Sequence, residues 1–177
     1  MSEVITLRGR CVVPGVAEGE ALVTRQQISG WGGIDSRTGT IVETRHELRG
    51  VSFAGKVLVF PGAKGSSGWS AMFHMTRLLK TAPAAFLFNE MTTKMALGAV
   101  VTHAPAMTGF DRDPLDCIET GDWVRVDADA GVVASLHGIA EQAQGDRARR
   151  AGAAGRQRDR RARADRARTR SAPVRLR

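Results

Sequence analysis

The segment Pro61-Gly62-Ala63-Lys64-Gly65-Ser66-Ser67 holds the residue types from which an anion site can be made. Glycines let a backbone curl so that successive N–H groups face one point. A helix is expected to follow, and its start adds unpaired N–H donors and about half a positive elementary charge. Lys64 adds a full charge. A carboxylate or phosphate suits such a pocket. A serine hydroxyl held there is stabilised toward its alkoxide, the form needed to take a proton from carbon. Two better-known loops are excluded by residue order. A nucleotide phosphate loop needs GxxxxGK and then Ser or Thr. A hydrolase nucleophile elbow needs GxSxG, whereas this chain reads Gly65-Ser66-Ser67-Gly68. A plain N-cap serine in a tight turn gives the same pattern, so the motif physics leaves that reading open.

A second glycine-dense stretch, Ser29-Gly30-Trp31-Gly32-Gly33-Ile34-Asp35-Ser36-Arg37-Thr38-Gly39, reads as backbone that turns tightly or approaches something closely. His46 and His103 have no carboxylate or cysteine at ligand spacing, and His74 falls within the expected helix as a surface or half-buried residue. Asp111, Asp113 and Asp116 resemble Asx turns, since the calcium-loop glycine and terminal glutamate are missing. Cys11 and Cys117 have neither CxxC spacing nor a histidine at zinc spacing, and read as reduced thiols.

These residues need elements to position them. Lys56–Phe60 is a continuous apolar run, as a strand buried on both faces would be. Gly68–Lys80 follows with apolar residues at three- and four-residue spacing, an amphipathic helix with Ser66 or Ser67 as its N-cap. Pro83–Phe88 reads as a second buried strand, Thr92–Leu97 as a short helix stopped by Gly98, and Ala99–His103 as a third buried strand. Strand, helix, strand, helix, strand implies parallel right-handed crossovers. Shorter strands are expected at Val4–Leu7, Glu20–Thr24 and Thr40–Glu43, with PGVAEGE as a turn. Trp123–Asp127 and Val132–Ser135 form a hairpin around Ala128–Gly131. The fold class is therefore α/β, a compact β/β/α barrel or sandwich mixing parallel and antiparallel strands.

The chain has 177 residues and a net charge of +8. A body at 1–140 is large enough to bury about two-thirds of its unfolded surface. With no tyrosine and few aromatics, its core is expected to be Val, Leu, Ile, Met and Ala. From Glu141 the composition turns to Ala, Arg, Asp, Gly and Gln, a segment at 141–177 expected to be disordered or partly helical. Residues 146–177 hold 13 Arg against Asp146, Asp159 and Asp165, and the remainder has 13 basic and 15 acidic residues. The basic character is thus confined to the tail. Its lack of interleaved aromatics and the near-neutral body argue against a nucleic-acid partner. The N-terminus has no secretory h-region and no apolar run approaches a spanning length, so a cytoplasmic protein is expected, without a membrane partner.

A set of segments carries a family resemblance. In order they are Gly15–Val23, Trp31-Gly32-Gly33-Ile34-Asp35 with Thr38-Gly39, Gly55–Val59 with Pro61, Lys64-Gly65-Ser66-Ser67, Ala82-Pro83-Ala84 and Leu97-Gly98-Ala99-Val100. Together they resemble the swivel domain of aconitase X over about residues 8–136. The resemblance implies a hydro-lyase subunit, inactive until it closes on a large partner subunit that holds an iron or iron–sulfur centre. This chain would hold no metal itself. The serine of the family's Gly-Ser-Ser/Thr motif maps onto Ser66 as proton acceptor. Lys64, Gly65, Ser67, Gly32, Gly33 and Asp35 are the residues expected to bind substrate. The expected substrate is a small hydroxy acid, cis-3-hydroxy-L-proline first, with phosphomevalonate as the alternative. Non-catalytic binding of anions or nucleic acid is the reading from another class. Where the family often has Arg before Gly-Ser, this chain has Lys64, cationic but without a bidentate fork.

Overall fold

A computed structural model describes residues 4–136. The expected body/tail boundary at 140, the Arg-rich segment and His137 lie outside the described residues.

Three strands form the middle of the fold: β7 (Val57–Phe60), β9 (Ala85–Phe88) and β10 (Ala106–Thr108), parallel and in that order. All their residues are buried. Helix α1 (Gly68–Leu78) joins β7 to β9, and α2 (Thr93–Thr102) joins β9 to β10. β3 (Val16–Val23) extends the sheet on the other side, and it serves two partners in turn. Val16–Glu20 pairs antiparallel with β11 (Trp123–Asp127), while Ala21–Val23 pairs parallel with β7. β12 (Val132–Leu136) pairs with β11 and with β1 (Val4–Arg8), and β2 (Arg10–Val13) closes the far side against β10.

The strand order is thus β1-β12-β11-β3-β7-β9-β10-β2. Its two end strands are separated in sequence by Gly9 alone. A sheet whose opposite edges are joined by one residue has to curl on itself. Alternation along the strands then sorts side chains into an inside and an outside. Val57, Val59, Ala85 and Leu87 point inward with Leu7, Met107, Val124, Val126 and Val133. Leu58, Phe60, Phe86 and Phe88 point outward beneath the helices with Trp69 and Phe73. This is the expected β/β/α layering.

Several expectations are corrected. The core is not aliphatic throughout: Phe53, Phe60, Phe73, Phe86, Phe88 and Trp69 are all buried under the helices. The rings of Trp69 and Phe73 stack with centroids 4.1 Å apart. Gly98 does not stop a helix. α2 runs through it to Thr102, and His103 ends it in the left-handed conformation. The glycine is there for packing, because a Cβ on Gly98 would lie 2.1 Å from Cζ3 of Trp69. The third parallel strand is consequently Ala106–Thr108 rather than Ala99–His103. The segment read as the turn PGVAEGE is mostly strand, since its last five residues belong to β3, and β2 had no separate signal. Thr40–Glu43 is strand only at β6 (Thr40–Ile41), hairpinned to β5 (Ile34–Asp35). The helix expected to reach Lys80 ends at Leu78, and Lys80 turns to a positive φ of 60°.

Among the described residues, no helix is long and apolar enough to cross a membrane.

Candidate functional site

The site is assembled at the carboxyl ends of the parallel strands, where α/β sheets place ligands. β7 ends at Phe60 and β9 at Phe88, so the loops that follow them emerge side by side. They are laced together: the N–H groups of Asn89 and Glu90 both donate to the Pro61 carbonyl, at 3.2 and 2.8 Å. A third segment joins them. β4 (Ile28–Ser29) pairs in parallel with β8 (Ala63–Lys64), which sets Ser29 beside Lys64.

Gly65 follows with φ +86°, a conformation that favours glycine. Ser66 and Ser67 are exposed at the turn into α1. Ser67 occupies the N-cap position with helical dihedrals and makes no side-chain cap bond. Ser66 supplies the acceptor instead, with its Oγ 3.3 Å from the N–H of Gly68. The cap is therefore Ser66 in chemistry and Ser67 only in position. No acidic residue lies in the first turn of α1 or of α2, so the partial positive charge of both helix starts is left uncompensated there.

Lys64 is not free to meet an anion in this structure. Its Nζ lies 2.6 Å from Oε1 of Glu43, and Oε2 of Glu43 is sealed from solvent without a hydrogen-bond partner. A second lysine reaches the turn. Lys94, in the first turn of α2, donates from Nζ to the carbonyl of Gly65. A cavity of about 350 Å³, lined by Ser67, Thr92, Thr93, Lys94 and Leu97, lies beside it. Glu43 and Lys94 were not singled out in the sequence. The advance signal for Lys94 was that a helix start recurs after β9, and Glu43 had none.

The other expected residues separate. Gly33 is buried against its own loop, where a Cβ would lie 2.2 Å from the carbonyl oxygen of Ser29. Gly32 is exposed with φ +68° and open space around it. Asp35 accepts the Arg37 N–H at 2.9 Å, and this bond, its largest influence, holds its carboxyl below the usual range. Those contacts stay within its own hairpin and its carboxylate is engaged there. Trp31, between Gly30 and Gly32, is 70% exposed above the start of α1. Of the described histidines, His46 is buried, accepts the Leu48 N–H on Nδ1 and has no hydrogen-bond partner at Nε2, His74 is half-buried, and His103 caps α2. Asp113 caps the short α3 (Pro114–Cys117), as an Asx turn should. Cys11 and Cys117 are free thiols.

Among the described residues, no three His, Cys, Asp or Glu side chains gather as a metal site would require. An iron or iron–sulfur centre finds no ligand set among the described residues.

A curled mixed sheet, two helices on one face and an exposed serine turn at the strand ends define a small β/β/α domain of the swivel class. The family described as "Aconitase X swivel domain" matches residues 6–135, and the chain belongs to it. The "Phosphomevalonate dehydratase small subunit" of Thermococcus kodakarensis is 42% identical over 130 residues, 73% of this chain and 96% of that protein. Its namesake from Methanosarcina mazei is 39% identical over 132 residues, 75% and 92% of the two chains. A crystal structure of Thermococcus kodakaraensis aconitase X in its holo-form superposes with a TM-score of 0.71 at 40% identity, covering 75% of this chain and 99% of that one.

Proposed function

We propose that this chain is the small subunit of an aconitase-X-type dehydratase and that Ser66 is its proton acceptor. The observation that carries the reading is the exposed Ser66 hydroxyl at an unopposed helix start, with Lys94 on the adjoining Gly65 carbonyl, in a domain matched by its relatives over nearly their whole length. Of the two substrates considered from sequence, the relatives' names support phosphomevalonate, and the proposal moves from hydroxyproline to that alternative.

The chemistry is a β-elimination. Ser66 Oγ, as alkoxide, takes the proton from the carbon next to the substrate carboxylate. The C–H electron pair becomes the new C=C bond, the C–O bond to the hydroxyl breaks, and water is released once that oxygen is protonated. The helix start and the Lys94 ammonium at the Gly65 carbonyl favour the negative oxygen before the proton moves. Assistance to the departing hydroxyl falls to the large partner chain. Closure of one chain on the other would exclude water from the reacting carbon.

The test is co-expression with a large-subunit chain and an anaerobic assay on phosphomevalonate and cis-3-hydroxy-L-proline. Turnover of phosphomevalonate that needs both chains is expected. Ser66→Ala should lower kcat by at least about 100-fold, the usual scale for a lost proton-transfer group, while the two chains still co-purify. Turnover surviving in Ser66→Ala would end the assignment, and preference for hydroxyproline would return the substrate to the first expectation.

A further inference from the structure

Trp31 stands in a place that the serine chemistry does not by itself explain. An indole normally buries 150–250 Å², yet this one is 70% exposed. Its place is nonetheless defined by close approaches on two sides. A Cβ on Gly30 would lie 2.6 Å from the Cα of Trp69, so the loop backbone rests directly on the start of α1. A Cβ on Gly68 would lie 2.4 Å from Cδ1 and 2.5 Å from Nε1 of Trp31, so the indole edge fills the place of that missing side chain. The same point is 3.3 Å from Oγ of Ser66. The indole edge and the serine hydroxyl therefore flank one spot, separated by no more than the sum of those last two distances. A carbon that approaches Ser66 from the side of Trp31 has its neighbouring carbons within reach of the indole. Only a glycine at 68 permits this seat, although alanine would suit a helix better.

We propose that Trp31 is a specificity-determining residue, an aromatic wall that packs on the aliphatic skeleton of the hydroxy acid while Ser66 acts on the adjacent carbon. The proposal rests on the Ser66 reading. It explains the exposure by a substrate that covers the ring, and the glycine at 68 by the room the ring needs.

The test uses the assembled two-chain enzyme. Trp31→Ala should raise KM about tenfold or more, the scale of a lost apolar contact in a pocket, with a smaller change in kcat, and Trp31→Phe should recover part of the loss. Gly68→Ala, which keeps the tryptophan but displaces it, should raise KM in the same direction. Discrimination against an analogue lacking the alkyl branch should narrow in Trp31→Ala. A second readout needs no turnover. In the Ser66→Ala complex, the part of the fluorescence that Trp31→Phe removes should stay open to acrylamide until substrate is added, and then be shielded. An unchanged KM in Trp31→Ala, or shielding by assembly alone, overturns the proposal; the latter would mean the partner chain covers the ring. If Ser66→Ala remains active, the proposed function fails. If Ser66→Ala is dead and Trp31→Ala is normal, only this inference fails.

Discussion

At the residue scale the serine turn is a local object, and that is why it was legible. Strand, glycines, serines and helix are contiguous, so Ser66 and the left-handed Gly65 follow from neighbours alone. What lay beyond local reasoning is who pairs with whom. Lys64 meets Glu43 across 21 positions, and Gly65 meets Lys94 across 29. Pairing assigns Lys64 a role that its charge alone does not: it satisfies a carboxylate whose other oxygen is sealed off. Lys64→Ala should therefore destabilise the domain more than Glu43→Gln, because the first leaves a half-buried carboxylate without its ammonium. Both side chains keep some solvent, so their coupling should stay near the surface-pair range, about 0.5–1 kcal/mol. Urea midpoints of the two single variants and the double variant measure it. Strictly additive losses would show that the pair is not an energetic unit. While Lys64 is held by Glu43, the positive character facing a ligand rests on the two helix starts and Lys94.

At the element scale, periodicity found α1 and the first two parallel strands to within two or three residues, since their apolar patterns are long or unbroken. It failed where one residue answers to a distant partner. Gly98 reads as a helix stop until Trp69 is placed against it. β3 reads as a turn followed by a strand because its two halves pair with different neighbours and its polar residues belong to the antiparallel half. The Gly98 packing has a measurable consequence. Gly98→Ala would gain roughly 1 kcal/mol in helix propensity, but it forces a methyl into the indole. Overpacking of this kind costs about 1–3 kcal/mol or somewhat more, so a net fall in thermal stability is expected. In a Trp69→Phe background, where the ring is smaller, the same substitution should be better tolerated. A stabilised Gly98→Ala would show that the helix contact is loose and that propensity alone governs the position.

At the scale of the whole molecule, curling depends on pairings such as Val4 with Leu136, which join the two ends of the described chain. No window of sequence contains such a pair, so barrel and sandwich could not be told apart before the strand order was known. Charge points the other way, because it is additive and can be read without a fold. Residues 1–145 carry 13 basic and 15 acidic residues, whereas residues 146–177 carry 13 Arg and three Asp. The family match ends at residue 135, and the two phosphomevalonate dehydratase relatives are matched over 92–96% of their own lengths, which leaves the Arg-rich segment without a counterpart in them. Among the described residues, which end at 136, both core layers are filled. A chain ending at Ala140 should therefore unfold at the same temperature as the full chain and co-purify equally with the large subunit. Any affinity of the full chain for DNA should fall steeply with added salt, as counterion release requires, and should vanish on truncation without a change in turnover. Lost co-purification after truncation would instead make the basic segment part of the interface between the two chains.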